Sequence, residues 1–254
     1  MEKTGEIAGR LYNISSEIGD GLLVEDVRIG IGYIGVKIEK RGLGLAALLT
    51  NELKPGCSRL KMAGTFAGSP ASELLKLLCE GSSPLEKALG LATANSIIGP
   101  PVTEKESDAI DLMGLTPDDR IAMVGFFQPL VERIRKRGLN LFVIERDERR
   151  IEIPDDETKD TVLEKCTVAI ITATSIVNDT LEDILSRLGK PRHVAILGPS
   201  TPLCEEAFRG TPVTHLGGSV VTDVQRVLQI ISEGGGTPEM RPHLRFVNSV
   251  INSR

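Results

Sequence analysis

Arg120-Ile-Ala-Met-Val-Gly125-Phe-Phe-Gln128, Val168-Ala-Ile-Ile-Thr172-Ala-Thr-Ser175 and His193-Val-Ala-Ile-Leu-Gly198-Pro-Ser-Thr201 share one pattern. Each opens with a short apolar run and closes on Gly, Ser or Thr, where a helical pattern begins. Continuous apolar runs of this length suit strands buried on both faces. Further strands are expected at 139–145 and 212–216. Helices are expected over 128–137, 175–188, 219–232 and, briefly, 202–208. Gly234-Gly235-Gly236 stops the last long one. Five strands alternating with helices predict an α/β, doubly wound parallel sheet over residues 106–254.

Upstream the grammar changes. Residues 2–18 read as a helix. Val24-Glu-Asp-Val-Arg-Ile-Gly-Ile-Gly-Tyr-Ile-Gly-Val-Lys-Ile38 is β-branched and broken by glycine, which predicts two antiparallel strands. A third strand is expected over 44–49. Ser69-Pro70 reads as a cap followed by Pro at the first helical position. Ser83-Pro84-Leu85-Glu86 reads as a capping box, with Leu85, Ala88, Leu89 and Ala92 forming a helical stripe. Strands before helices give residues 1–105 an α+β character. These residues carry 12 Lys/Arg and 12 Asp/Glu, whereas residues 106–254 carry the whole net charge of −5. The shift falls near Gly99-Pro100-Pro101, which stops a helix and stiffens a linker.

Composition narrows the function. At 254 residues the chain can bury a substantial core in one large domain or two modest ones. Aromatic residues make up 3%, with no Trp, which argues against stacking platforms for nucleic acid. The negative net charge argues against binding a phosphate backbone. There is no apolar run of membrane-spanning length. The polar start Met1-Glu-Lys-Thr is unlike a signal peptide. Cys57, Cys79, Cys166 and Cys204 are scattered without a CxxC pair, as expected of reduced thiols in a cytoplasmic protein.

Ligands of open parallel sheets bind at the carboxyl ends of the strands. Those ends read Gly125-Phe126-Phe127-Gln128, Glu145-Arg146-Asp147, Thr172-Ala173-Thr174, Gly198-Pro199-Ser200-Thr201 and His215-Leu216-Gly217-Gly218-Ser219. Turns favour Gly, Ser and Thr in any case, yet the joint pattern points to a pocket. The first turn lacks GxGxxG, which counts against a pyrophosphate cradle. Glu145 stands where a ribose-binding acid would stand, or it is a solvated strand end paired with Arg146 or Arg149. Asn95 continues the apolar stripe of its helix; it either ties two elements together or points into a site between the regions. His193, His215 and His243 are the only histidines, and none has a partner at i+3 or i+4. His215 is expected to end the fifth strand at the ligand-bearing end. A metal set of Cys57, Glu145 and His215, with Cys204 nearby, is chemically sensible if the fold gathers it.

The segments Ala63-Gly-Thr-Phe-Ala-Gly-Ser-Pro70, Gly90-Leu-Ala-Thr-Ala-Asn-Ser96, Val124-Gly-Phe-Phe-Gln-Pro-Leu130, Ile171-Thr-Ala-Thr-Ser-Ile-Val-Asn-Asp-Thr-Leu181 and Leu197-Gly-Pro-Ser-Thr-Pro-Leu203 occur in order. Together they resemble the archaeal and bacterial family called "putative heavy-metal chelation" proteins. The resemblance implies an enolase-N-terminal-like α+β domain followed by a Rossmann-like domain, with a site in the cleft between them. It makes Asn95, Gly125, Phe126, Gln128, Glu145, Thr172, Thr174, Asn178, Gly198, Pro199 and Ser200 candidate cleft residues. Thr201 and Gly217 join them from the strand-end pattern. The expected ligand is a transition or heavy metal ion, or a small molecule bearing one, and neither a nucleic acid nor a membrane. A homodimer is the base-rate expectation. The alternative is an enzyme acting on a small anionic or nucleoside-like substrate at the strand ends.

Overall fold

The computed structural model describes residues 5–53, 60–101, 109–145, 149, 151–154 and 157–251. The chain begins with α1 (Glu6–Ile18) and an antiparallel sheet of β1 (Val24–Ile29), β2 (Tyr33–Ile38) and β3 (Leu43–Ala47). Two short helices, α2 (Ala71–Leu75) and α3 (Leu77–Glu80), precede the long α4 (Pro84–Ile98). Next come α5 (Ala109–Met113), β4 (Arg120–Val124), α6 (Gln128–Lys136), β5 (Asn140–Ile144), α7 (Lys159–Lys165) and β6 (Val168–Thr172). The remainder runs through α8 (Thr174–Val177), α9 (Leu181–Arg187), β7 (His193–Leu197), β8 (His215–Val221), α10 (Val224–Ser232), α11 (Thr237–Met240) and β9 (Leu244–Val250).

The large sheet has the order β5-β4-β6-β7-β8-β9. Its first five strands are parallel, and β9 pairs antiparallel with β8. The chain steps from β4 outward to β5 and then returns to the far side of β4 with β6. That reversal makes the carboxyl ends of β4 and β6 the topological switch point of a doubly wound sheet, where ligands of this fold class bind.

Strands β2 and β3 of the small sheet are buried on both faces. Ile34, Val36, Ile38 and Ala46 belong to the same apolar cluster as Leu11, Leu85, Leu89 and Ala92 of α1 and α4. Tyr33, Leu43 and Leu45 pack with Val227, Leu228, Ile230 and Ile231 of α10. α10 therefore reaches from the large sheet to cover the small one. Gly30 permits this close approach, since a Cβ there would stand 2.1 Å from Ile231 O. The cluster around α4 also takes in Ala122, Ala169, Ile171, Val194 and Ile196 of the large sheet, so one core runs through both regions.

Ser83 caps α4 by accepting from Glu86 N–H at 3.3 Å. Glu86 reaches back one residue further than a capping box requires, accepting from Ser82 N–H at 2.7 Å. Pro70 stands at the N-cap of α2 rather than inside it, and Ser69 Oγ donates to Phe66 O instead of capping the helix.

Four departures from the sequence pattern have physical causes. First, the helix expected over 175–188 breaks into α8 and α9. Asp179 takes φ +57°, and Thr180 Oγ1 donates to Asn178 Oδ1 at 2.7 Å, satisfying a local bond that competes with the helix. Second, β8 begins at His215 and contains Gly217 and Gly218, which were read as a turn. Both glycines mark close packing. A Cβ on Gly217 would meet Leu197 Cδ2 at 2.6 Å, and one on Gly218 would meet Thr201 O at 3.0 Å. Third, α7 supplies an unanticipated crossover between β5 and β6, capped by Thr158 Oγ1 on Thr161 N–H. Fourth, β9 was not foreseen; its buried positions Val247, Asn248 and Ser249 run consecutively and hide the two-residue period.

Candidate functional site

The carboxyl edge of the large sheet meets the first region along α4 and β3. α8 packs on α4, and Lys87 of α4 forms an ion pair with Asp179 at the α8–α9 break. The turn after β7 is fastened more tightly. Ala47 N–H donates to Ser200 Oγ at 2.7 Å, while Asn95 Nδ2 donates to both Leu45 O and Ser200 O at 2.9 Å. Asn95 thus does the structural part expected of it: one amide joins α4, β3 and the β7 turn. Ser200 is 2% exposed and serves the same junction.

At the switch point Gly125 takes φ +95°, and its N–H donates to Ile144 O at 2.9 Å. Any Cβ there would lie 2.8 Å from Thr172 Cγ2. Thr172 and Thr174 share a hydroxyl hydrogen bond of 3.0 Å. Gly198, at φ +124°, faces the Phe127 ring. The turns after β4, β6 and β7 therefore converge, and the fold brings Gly125, Thr172, Thr174 and Gly198 into one neighbourhood. Glu145 directly follows β5, beside β4, at the same carboxyl edge.

Other sequence candidates lie elsewhere. The exposed Gln128 side chain runs along α6, donating to Glu132 Oε1 at 3.1 Å, and with Phe126 it borders an open depression on that helix. Asn178 is engaged in the α8–α9 break. Gly217 lies within β8, not in a turn. Pro199 and Thr201 face a small cleft beside β3 and the end of α4, as does Asn95.

The metal set does not assemble as expected. His215 opens β8 at the amino end of the sheet, because the strand starts there rather than ending there. Its Nδ1 lies 2.8 Å from Thr214 Oγ1, and its ring meets His193 edge-on at 4.9 Å. Glu145 is at the opposite end and four strands away, about 19 Å at the usual strand spacing. Cys57 lies outside the described residues. Burial raises the thiol pKa of Cys79 and Cys204, and pushes that of Cys166 up to about 11, so all three are held protonated at neutral pH. Among the described residues no three His, Cys, Asp or Glu side chains are grouped to hold a metal ion.

The amino end of the sheet carries a second polar constellation. Asp119, the residue before β4, is 3% exposed. It accepts from Arg192 Nε and Nη2 at 2.9 and 2.5 Å, from Thr167 Oγ1 at 2.7 Å and from Thr116 N–H at 2.8 Å. Arg192 foremost, then these neutral donors, holds its carboxyl well below the usual carboxylate range.

Two family models match this chain, each described as "Putative heavy-metal chelation": one, DUF4213, over residues 12–98, the other, DUF364, over residues 108–250. An uncharacterised protein of Methanocaldococcus jannaschii is 26% identical over 233 residues, covering 88% of each chain. A crystal structure of a DUF364 protein of unknown function from Pyrococcus horikoshii superposes with a TM-score of 0.82 at 24% identity, covering 96% of this chain and 100% of that one. Another, from Desulfitobacterium hafniense, gives 0.79 at 20% identity, covering 98% and 100%. These two share the fold. No described helix is long and apolar enough to cross a membrane.

Proposed function

The chain belongs to the DUF364 family, described as "Putative heavy-metal chelation", and from that premise we propose that it binds a metal already held by a small organic molecule. The ligand rests at the switch point, against Gly125, Thr172, Thr174 and Gly198. The observation that carries this reading is the convergence of the turns after β4, β6 and β7 at the switch point. Two glycines at positive φ, Gly125 and Gly198, shape these turns, and the missing side chain of Gly125 lets Thr172 close on the β4 turn. The described side chains do not form a three-donor cage for a bare ion. A chelate brings its own donors and needs only shape, hydrogen bonds and one further ligand. Glu145, which follows β5 at the carboxyl edge, is the candidate for that ligand.

The test is metal content by plasma mass spectrometry, on protein purified anaerobically without chelator. It is paired with titration of Ni2+ as the aqueous ion and as its citrate and histidine complexes. The expected result is stoichiometric uptake of a complexed ion, lost in Glu145→Ala and Thr172→Val. Equal uptake of the aqueous ion in both variants overturns the reading. So does a metal-free protein whose melting temperature rises with adenosine or phosphate compounds in the presence of chelator. That second outcome moves the assignment to an enzyme acting on a small anionic or nucleoside-like substrate.

A further inference from the structure

Open sheet edges attract other chains, and native proteins blunt them with cover, charge, proline or bulges. Two sheets have four edges, and three of them carry such a device. Val143 of β5 exchanges both backbone hydrogen bonds with Glu152. The edge of β3 is fastened by Ser200 and Asn95. β1 bonds through Val24 to Gly68 and Ser69, has a register break between Val24 and Asp26, and carries Glu25, Asp26 and Arg28. β9 is the fourth edge. Its seven residues, Leu244–Val250, contain no proline and one charge, Arg245. They pair with β8 without a register break, and among the described residues no other strand pairs with β9.

The direction of its backbone groups follows from that pairing. Thr222 N–H donates to His243 O, and Ile251 N–H donates to Thr214 O. Residues 243 and 251 therefore sit in hydrogen-bonded pairs along β8, and such pairs alternate in an antiparallel ladder. Residues 244, 246, 248 and 250 turn their N–H and C=O groups to the outer side. Phe246 stands in the middle of this row, 41% exposed, while Val247 beside it is fully buried.

We propose that β9 pairs antiparallel with β9 of a second copy, so that the two large sheets join across a two-fold axis. The strand suits its own copy better than an unrelated peptide. An axis through Val247 sets residue 244 against 250 and 246 against 248, which uses the strand from end to end. Phe246 then lies diagonal to the partner's Phe246, within reach of an aromatic contact. Arg245 stands directly opposite the partner's Ser249, on the same face of the joined sheet. Ser249 Oγ donates to the Glu205 carboxylate, so each Arg245 arrives beside a carboxylate of the other copy. An axis through Arg245 would instead set two cations face to face. The interface uses none of Gly125, Thr172, Thr174, Gly198 and Glu145, and it stands whether or not a chelate binds among them.

Sedimentation velocity on the full-length protein, over a micromolar concentration series, reads the association. A dimer is expected. Phe246→Pro removes an N–H that faces away from β8, so it should give a monomer with unchanged far-UV circular dichroism. Phe246→Asp keeps that N–H and brings two carboxylates together across the axis, so it should also give a monomer and serves where the proline variant does not fold. Arg245→Glu sets like charges beside Glu205 and should weaken association about tenfold at low salt, with the difference shrinking at high salt. A protein that is monomeric throughout the series overturns the proposal. A dimer of undiminished affinity in Phe246→Asp or Arg245→Glu also overturns it, since the interface then lies on another surface.

Discussion

Where β4, β6 and β7 begin, one carboxylate gathers the three strand starts: Asp119 bonds to Arg192 and Thr167, and each of the three residues directly precedes a strand. Where the same strands end, Gly125 and Gly198 adopt positive φ, and among the described residues Thr201 Oγ1 and Asn95 Oδ1 have no partner. The first cluster joins a carboxylate, a guanidinium and two threonines, and both oxygens of Asp119 are answered. The second holds a hydroxyl and an amide oxygen that are not. A polar cluster whose members answer one another stabilises the fold, whereas a buried group without a partner weakens it.

Replacing Asp119 with Ala gives the largest effect expected of this contrast. It strands Thr116 N–H and Thr167 Oγ1 and leaves Arg192 without its counter-ion. The loss should be about 3 kcal/mol in urea denaturation at neutral pH, the lower end for a broken buried pair, because Arg192 can turn to water. A loss near zero would break the comparison. The pH dependence sharpens it. The folded-state pKa of Asp119 is depressed, so its contribution is present above about 3.9, the unfolded carboxyl value, and is lost as acid is added below that. Asp119→Asn should flatten this acid limb.

At the other end, Gly125→Ala should cost about 2 kcal/mol, from positive φ and contact with Thr172 together. Gly138→Ala isolates the backbone contribution, since Gly138 also has positive φ but nothing within 4 Å of an added Cβ. It should cost about 1 kcal/mol. Equal losses in the two variants would mean that Thr172 yields to a methyl group at position 125.

Ser200→Ala removes the acceptor of Ala47 N–H, and a stability loss of about 1 kcal/mol is expected. The smallest effect belongs to His193. Burial, and then Arg192, lowers its pKa, so stability falls as pH drops from about 6.5 through the folded-state value. His193→Gln should remove that slope between pH 7 and 5 in thermal melts.

Much of the fold was legible in the residues. β6 spans the expected residues, and the starts of β4 and β7 also stand where the apolar runs place them. Three-dimensional effects account for the misses. Gly217 and Gly218 look like a turn in one dimension, yet their missing side chains make room for Leu197, Asn248 and Leu203. His215 was placed at the wrong end of its strand for that reason, and the metal set that relied on it came apart. Asn95 stood out because an amide interrupted an apolar stripe. The orphaned hydroxyl of Thr201 carried no comparable signal, since its lack of partners depends on β3, α4 and β8 arriving around it. Nothing local in the sequence marks Asp119, because its donors, Thr167 and Arg192, are 48 and 73 residues away.

The fastening of β3 by Ser200 has a consequence for biosynthesis. Residues 43, 45 and 47 form an open strand edge until the turn after β7 exists to cover it. The ribosome delivers that turn about 150 residues later, which at normal elongation rates is on the order of ten seconds. For that interval the nascent chain presents a sticky apolar ladder, a natural target for cotranslational chaperones. The pace of translation, rather than the speed of strand pairing, sets how long it stays uncovered.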